Sequence, residues 1–316
     1  MGTGAYTRGL HDVGEGLYAY LQPDGGWGWS NAGLIVDGEA AMLVDTLFDL
    51  RLTGAMLNEM RRRVPAAAEI DTLVNTHANG DHTFGNQLVG EARIVASQRT
   101  ADEMLELPPA AMAAIREAAP QMGRTGEFLL ELFGSFEFAG IELVRPAETF
   151  EGELRMRVGD KEVHLTEVGP AHTRGDTLVL VPQDGVLYAG DILFHGGHPI
   201  VWAGPVSNWI AACDRILAMD VDVIVPGHGP LAEKDAVQEL KSYFEYLRAE
   251  ARSRFEDGMT PLEAARDISL DRYADWGESE RLVVNVDALY RELSGSEERA
   301  NPIELFGQMA ELATSR

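Results

Sequence analysis

Six side chains that can ligate a metal ion stand out by their type and spacing. Three lie within six residues and three follow at wide intervals: His77, Asp81 and His82, then His172, Asp191 and His228. Imidazole and carboxylate ligands at one centre suit zinc, and also iron or manganese. The pattern therefore predicts a metal site of one or two ions, whose chemistry is that of a Lewis acid acting on water or on a bound substrate.

The elements before these side chains explain how they can meet. His77 follows the apolar run Ile70–Val74, and Asp191 and His228 follow the similar runs 186–189 and Val221–Val225. Each run gives way to glycine, and a strand holds functional groups rigidly at its end. His172 lies in a comparable position, between predicted strands at 162–168 and 177–181. Packing alone does not explain four such placements, so we expect the side chains to converge.

The remaining pattern alternates strands and helices. Further strands are predicted at 16–21, 34–36, 41–44, 94–96 and 141–144, with Asp37-Gly38 as a hairpin turn. Helices are predicted at 50–63, 206–218 and 233–249, and the Ala-, Met- and Leu-rich segment 101–136 is predicted to be a helical insert broken by Pro108-Pro109. Strand-rich halves that each end in helices indicate an α/β fold of two packed sheets covered by helices.

The chain divides into a catalytic domain over 1–250 and a helical extension over 251–316 packed on it. Pro261 suits the first turn of a helix. An apolar stripe follows, formed by Leu282, Val283, Val286, Leu289, Tyr290 and Leu293. Packing within the chain is favoured for this stripe, and a homo-oligomer formed through these helices is the alternative.

The net charge of −25 over 316 residues argues against nucleic acid and membrane surfaces as partners, since both are anionic. Solubility is the simplest explanation of the acidity, and a cationic partner is the alternative. The one cysteine, Cys213, lies in an apolar stretch and is interpreted as a small buried hydrophobe rather than a nucleophile. A lone cysteine, with neither a signal-peptide layout nor a membrane-length apolar run, predicts a cytoplasmic protein. The expected partner is a small-molecule substrate.

The motif Asn75-Thr-His77-Ala-Asn79-Gly-Asp81-His82, with the later His172, Asp191 and His228, resembles the metallo-β-lactamase superfamily over about residues 14–235. The resemblance implies an αββα sandwich with the metals at one edge. It implies His77 and His172 at a first metal position, Asp81, His82 and His228 at a second, and a bridging Asp191, as in branches similar to glyoxalase II. True lactamases lack that aspartate. Asp45 matches a family position that orients the first histidine.

One residue departs from the family pattern, because Asn79 stands where the second histidine is expected. An amide oxygen is a weaker zinc ligand than an imidazole nitrogen, and the amide NH₂ cannot ligate. Three outcomes are open: two metals with a weak Asn79 contact, two metals of a harder kind, or occupancy of the second position alone.

Other residues are candidates for substrate contact or proton transfer. His198 is either a proton shuttle or a solvated loop residue, and His195 is interpreted as the latter. Trp27, Trp29 and Asn31 lie on a glycine-rich hairpin near which the family binds substrate. Apolar side chains of the 101–136 insert either cover a substrate pocket or pack as a helical core.

The expected function is hydrolysis of an ester, lactone or thioester carbonyl of a fairly apolar small molecule by a metal-bound hydroxide, with Asp81 or Asp191 in proton transfer. A weaker resemblance to the cyclases and thioesterases of aromatic polyketide biosynthesis gives an alternative. It is carried by Trp29-Ser-Asn-Ala-Gly33, Val44-Asp-Thr46 and Gly80-Asp-His82. There the metal would act as a Lewis acid in ring closure. A non-catalytic, metal-stabilised binding protein is the third alternative.

Overall fold

Two β-sheets form the centre of the molecule, which is known from a computed structural model that describes residues 6–315. The first sheet has the order β1 (Gly9–Gly14), β2 (Leu17–Leu21), β3 (Ala32–Asp37), β4 (Ala40–Val44), β5 (Thr72–Val74), β6 (Arg93–Ser97) and β7 (Glu148–Phe150). The second has the order β12 (Val223–His228), β11 (Val186–Phe194), β10 (Thr177–Val181), β9 (Lys161–Glu167) and β8 (Glu153–Val158). Pairing is antiparallel from β1 to β4 and from β8 to β11, and parallel elsewhere.

Helices surround the sheets, and the longer ones cover their outer faces. The helices are α1 (Leu50–Arg63), α2 (Gly80–Thr83), α3 (Gln98–Glu103), α4 (Pro109–Ala118), α5 (Gly123–Phe133), α6 (Val206–Ala218), α7 (Lys234–Glu256), α8 (Pro261–Asp267), α9 (Leu282–Ser294) and α10 (Pro302–Ser315). None of the helices within residues 6–315 is long and apolar enough to cross a membrane.

Three apolar layers separate these elements. The middle layer lies between the sheets and includes Ile35 and Val74 from the first and Leu165 and Val179 from the second. One outer layer joins the first sheet to α1 and α5, and the other joins the second sheet to α6, α7 and the C-terminal helices. This arrangement of helix, sheet, sheet and helix confirms the predicted αββα sandwich with its C-terminal helical region.

Local signals fixed several element bounds. Helix α1 has its predicted bounds, because the Asp49 side chain accepts a hydrogen bond from Leu52 N at the N-terminus and Met56 and Met60 lie on the buried face. Helix α6 also matches its prediction. The prolines at 108 and 109 separate α3 from α4 as expected, since proline starts a helix more readily than it continues one.

The strand predicted at 141–144 is wrong. This segment is irregular, and its backbone bonds to side chains: Glu142 N donates to Gln87 Oε1, and Val144 O accepts from Asn86 Nδ2. The neighbour of β6 is instead β7, a strand of three residues that the sequence pattern did not indicate. A strand this short carries too few residues to show a two-residue periodicity.

The C-terminal helices pack against the rest of the chain. Helix α9 contacts α7, and α10 contacts both α9 and α5 of the helical insert. The predicted apolar stripe on α9 is largely buried in these contacts, with Leu282, Val283 and Val286 inaccessible to solvent. The stripe therefore belongs to the core of the chain, and α10 connects the extension to the insert.

Candidate metal centre

The six predicted ligands converge at one edge of the sandwich. His77 follows β5, and Asp81 and His82 lie in the short α2 that comes next. His172 lies in the loop between β9 and β10, Asp191 within β11, and His228 at the end of β12. Ligands from both sheets therefore meet where the strands end. All six side chains are buried.

Asp191 lies at the middle of this cluster. Its Oδ1 is 3.1 Å from His82 Nε2, and its Oδ2 is 3.2 Å from His172 Nε2 and 3.4 Å from His228 Nε2. His77 Nε2 is 3.7 Å from the same Oδ2. Gly227 permits this position, because a Cβ there would overlap Asp191 Oδ1. Asp191 thus faces all four imidazoles, as a bridging ligand must.

Two imidazoles are oriented by backbone carbonyls. His172 Nδ1 lies 2.7 Å from Ile200 O, and His228 Nδ1 lies 3.0 Å from Gly25 O. A carbonyl only accepts, so each Nδ1 is a donor, and Nε2 is the nitrogen left to ligate a metal once it carries no proton. Holding the outer nitrogen in this way is typical of metal-binding histidines.

The other two imidazoles are oriented by Asp45 and Thr76. Asp45 Oδ2 lies 3.0 Å from His82 Nδ1, and it accepts a hydrogen bond from Thr76 Oγ1 at 2.7 Å. Thr76 Oγ1 in turn lies 2.9 Å from His77 Nδ1. The expectation that Asp45 orients the first histidine needs a correction: it contacts His82 directly and reaches His77 only through Thr76. The reason is that Asp45 follows β4, whose neighbour β5 leads into Thr76.

The pKa values of the four imidazoles are shifted in opposite directions, so that two are neutral and two are charged. Burial and the neighbouring His82 lower the pKa of His77 well below its usual value, and burial lowers that of His172. Burial is the largest single influence at His82 and His228 and acts in the same direction, but the Asp191 and Asp81 carboxylates together outweigh it. The pKa of His82 is raised well above its usual value, and that of His228 is raised to about 9.

Both carboxylates of the cluster are ionised at neutral pH. Burial acts to raise the pKa of Asp81, but His82 and His228 outweigh it and hold the pKa at about 2. The same competition lowers the pKa of Asp191 well below its usual value. Metal ligands must be deprotonated carboxylates and neutral imidazoles, and a cation would displace the protons that His82 and His228 hold.

Several observations show that the cluster fits a divalent cation. His77 Nε2 is buried and has no hydrogen-bond partner, and the 3.1 Å contact of His82 Nε2 with Asp191 Oδ1 lacks hydrogen-bond geometry. Three groups of possible ligand atoms each lie within 4.8 Å of one another: Asp45, His77 and His82; His77, His172 and Asp191; and Asp81, His82 and His228. Unpartnered buried donors are costly, and ligation would satisfy them. The second and third of these groups contain the residues predicted for the first and second metal positions, whose occupancy stays a prediction.

Asn79 lies beside the second of these groups. Its Nδ2 is 3.1 Å from His172 Nε2. Since His172 Nδ1 is a donor, Nε2 is an acceptor, and the Asn79 amide can donate to it. The amide therefore occupies the coordination space of a first-position ligand and competes with a metal for the lone pair of His172.

A cavity of about 660 Å³ opens in front of the cluster, and Asp81, His172, Asp191 and His228 form part of its wall. Most of the remaining wall is apolar and comes from three regions: Trp27 and Phe48 near the N-terminus, Met112, Leu129 and Phe133 of the insert, and Leu305 and Phe306 of α10. The insert thus lines the cavity and also packs as a helical core.

The hairpin residues predicted to contact substrate separate into two groups. Trp27 lines the cavity, where its ring centroid lies 5.7 Å from that of Phe306. Trp29 and Asn31 are not among the lining residues. Trp29 packs on Phe136, and Asn31 Nδ2 donates to Pro226 O and Gly229 O, so Asn31 braces the loop that carries His228.

The two histidines after Asp191 lie away from the cavity wall. His198 is fully buried, and its Nδ1 lies 3.1 Å from the Tyr243 hydroxyl. It is therefore not a solvated loop residue, and its ring packs on Trp276 rather than facing the metal cluster. His195 is half-buried with Nδ1 3.1 Å from Pro230 O.

Sequence reasoning missed the contribution of the C-terminal extension to the cavity. Arg281, Leu305 and Phe306 all line it. The sequence gives only weak signals for these residues. Phe306 lies close to Pro302, which suits the start of a helix, and Arg281 immediately precedes an apolar stripe. Neither pattern indicates which cavity such residues face, because that depends on packing between elements far apart in the chain.

Comparisons with known proteins agree with this geometry. A family model described as the metallo-beta-lactamase superfamily matches residues 25–228. The alpha subunit of 2,4-dinitroanisole O-demethylase from Nocardioides sp. (strain JS1661) is 26% identical over 248 residues, which are 77% of this chain and 63% of the subunit. A linear primary-alkylsulfatase from Pseudomonas sp. (strain ATCC 19151) is 24% identical over 139 residues, 40% of this chain and 26% of that enzyme.

Solved structures share the fold. The stereoselective inverting sec-alkylsulfatase Pisa1 from Pseudomonas sp. superimposes with a TM-score of 0.65 at 18% identity, covering 94% of this chain and 53% of the sulfatase. The DIM-1 metallo-beta-lactamase gives a TM-score of 0.55 at 18% identity, covering 75% of this chain and 96% of the lactamase. The chain spans less than two thirds of the length of the demethylase subunit and of both sulfatases.

Proposed function

Since the chain belongs to the metallo-β-lactamase superfamily, whose members are metallo-hydrolases, it is an enzyme, and we propose that it hydrolyses an ester, lactone or thioester of a fairly apolar small molecule. One observation carries the proposal: four of the six metal-ligand side chains form part of the wall of a mainly apolar cavity of about 660 Å³. A cavity of this size accommodates a small organic molecule and brings it against the metal centre.

The metal that fits the proposal best is zinc, with iron or manganese as alternatives, because the donors are imidazole nitrogens and carboxylate oxygens. His77, His172 and Asp191 would hold one ion, and Asp81, His82 and His228 the other. A cation held there supplies Lewis acidity, which lowers the pKa of water and polarises the bond to be broken.

The chain's own side chains have separate tasks in this proposal. Asp81 lines the cavity, is ionised at neutral pH and lies 3.3 Å from His228 Nε2. It is therefore placed to accept a proton from the attacking water and to return it to the leaving group. Asp191 stays ionised and fixes the positions of the imidazoles. Trp27, Phe133 and Phe306 bind the apolar part of the substrate and exclude water from it.

The relatives' names favour a second candidate reaction. One relative is named for the O-demethylation of 2,4-dinitroanisole and two for the cleavage of alkyl sulfates. An aryl ether and a sulfate ester are therefore two further classes of bond that the same centre could cleave. Ring closure of a polyketide-like substrate remains the third candidate, and it differs by its product.

A screen of the metal-loaded protein tests the proposal. The panel contains aryl esters, lactones, thioesters, alkyl sulfates and aryl methyl ethers, with products followed by mass spectrometry. We expect turnover of a carbonyl substrate that a chelator abolishes and added Zn²⁺ restores. A product isomeric with its substrate, or lighter by one water, would favour the cyclase. Turnover confined to sulfates or ethers would replace the carbonyl proposal with the second candidate.

A further inference from the structure

Arg281 is a buried cation in the wall of the cavity. It precedes α9, is 2% exposed and lines the same cavity as the metal ligands. Its guanidinium carbon lies 4.4 Å from the ring centroid of Trp27 and 5.3 Å from that of Phe194. Phe194 in turn stacks on the imidazole of His228, with centroids 5.1 Å apart and planes 1° apart. The guanidinium is thus separated from a metal ligand by one aromatic ring.

No hydrogen bond pairs the charge of Arg281 with a carboxylate, and Glu278, three residues earlier, interacts with it only at longer range. Nη1 donates to His198 O at 2.8 Å, and Nε is buried without a partner. In the described part of the chain, no carboxylate forms an ion pair with Arg281 within 4.0 Å. The adjacent Glu280 is engaged elsewhere, because it accepts a hydrogen bond from Trp27 Nε1 at 2.8 Å.

A buried guanidinium in this state is costly for the protein. Two aromatic faces compensate part of the lost hydration, but they do not satisfy the N–H donors. Arg291, which also lines the cavity, differs from Arg281 because it forms an ion pair. Its Nε lies 3.2 Å from Asp287 Oδ2. The charge of Arg281 is therefore available to a ligand, while that of Arg291 is already paired.

We propose that Arg281 binds an anionic oxygen group of the substrate, a carboxylate or a sulfate, beside the metal centre. This inference rests on the proposed function and specifies its substrate class. The substrate is an amphiphile, whose anionic group faces Arg281 and whose apolar part lies against Phe133, Leu305 and Phe306. Guanidinium N–H groups suit carboxylate and sulfate oxygens, and these charge-assisted bonds strengthen in an apolar cavity.

The test compares non-hydrolysable probes of one shape and different charge. Binding of decanoate, decyl sulfate and the neutral decanamide to the metal-loaded protein is measured by calorimetry. We expect the wild type to prefer at least one anion over decanamide by about tenfold or more, the size of one charge-assisted hydrogen bond. The relative affinities of decanoate and decyl sulfate identify which oxygen group the site takes. A wild type that binds neither anion more tightly than decanamide would overturn the proposal.

Variants assign the preference to Arg281 rather than to the metals. Arg281→Met should remove most of the preference and leave decanamide binding within about twofold. Arg281→Lys, which keeps the charge but loses the planar donor set, should retain a smaller preference. The Lys variant also decides the question if the Met variant does not fold. Arg254→Met is the matched control, because Arg254 pairs with Asp267 and Glu250 away from the cavity.

An unchanged anion preference in both Arg281 variants would overturn the inference. Because no turnover is measured, this result is independent of the proposed reaction. An anion preference that depends on Arg281, found in a protein that hydrolyses nothing in the substrate panel, would contradict the hydrolase proposal alone. Hydrolysis without any such preference would contradict the role of Arg281 alone.

Discussion

The metal centre and the cavity wall in front of it are built in different ways. The candidate ligands lie on strands or on short segments that connect them, and the outer nitrogen of each imidazole is held by one hydrogen-bond partner, such as Ile200 O for His172. The wall consists of apolar side chains on helices, such as Phe133 on α5 and Phe306 on α10, which meet edge to face with centroids 5.9 Å apart. Hydrogen bonds fix direction, whereas apolar packing mainly conserves volume.

This difference separates chemistry from substrate choice. A ligand that moves by a few tenths of an ångström loses its metal, so the centre depends on rigid strands and oriented imidazoles. The wall tolerates exchange of one apolar side chain for another of similar size. We therefore expect substitutions in the centre to change metal content and rate, and substitutions in the wall to change substrate affinity.

The largest effect is expected for Asp191→Asn. The amide would keep the volume but lose the charge that faces all four imidazoles, so both metal positions should weaken. The loss of metal affinity should exceed the roughly 100-fold upper range for residues that only orient a ligand. Metal content by mass spectrometry and turnover should fall together. Asp214→Asn, which changes a surface partner of Lys241, is the control. Full metal content in Asp191→Asn would refute the bridging role.

A smaller effect is expected for Asn79→His, which compares the metal affinity of the first position with that of the second. The wild type should hold fewer than two metals per chain at low free metal, because the Asn79 amide is a weak ligand and donates to His172 Nε2. The histidine should tighten the first position by about tenfold or more. Asn79→Ala is the control and should not raise metal content. Two tightly held metals in the wild type, unchanged in Asn79→His, would contradict this asymmetry.

The smallest effect is expected for Phe306→Ala in the wall. Removing this half-buried ring should cost about 1 kcal/mol of apolar contact with the substrate. KM should rise roughly fivefold, with kcat and metal content unchanged. Phe255→Ala removes a phenylalanine that packs on Tyr290 outside the cavity, and it should leave KM as it is. A fall in kcat and metal content in Phe306→Ala would show that the wall and the centre are coupled.

The elements were predictable where local signals are strong. The bounds of α1 follow from the Asp49 cap and the four-residue spacing of Met56 and Met60. The antiparallel hairpin of β3 and β4 follows from the Asp37-Gly38 turn. The segment 141–144 shows the limit of such reasoning. Its apolar residues suit a strand, but the side chains of Gln87 and Asn86 take the hydrogen bonds that a strand would need.

The candidate centre was predictable because its ligands carry a spaced motif. The role of Asp45 was only partly predictable, since its contact with His82 rather than His77 depends on how β4 and β5 are paired. The position of His198 was not predictable. Its neighbours in sequence are glycines and a proline, which suggest an exposed loop, but Tyr243 and Trp276 cover its ring.

A metal site could be predicted from the sequence alone, because the ligand types, their order and the strands that precede them are local properties. The alternation of strands and helices also indicated two packed sheets covered by helices. Which side chains face the candidate metal centre depends on contacts between elements far apart in the chain. Arg281 and Phe306 are more than fifty residues beyond His228, and they reach the cavity because α9 and α10 pack on α7 and α5. Such packing depends on the shapes of surfaces that form only when the whole chain has folded.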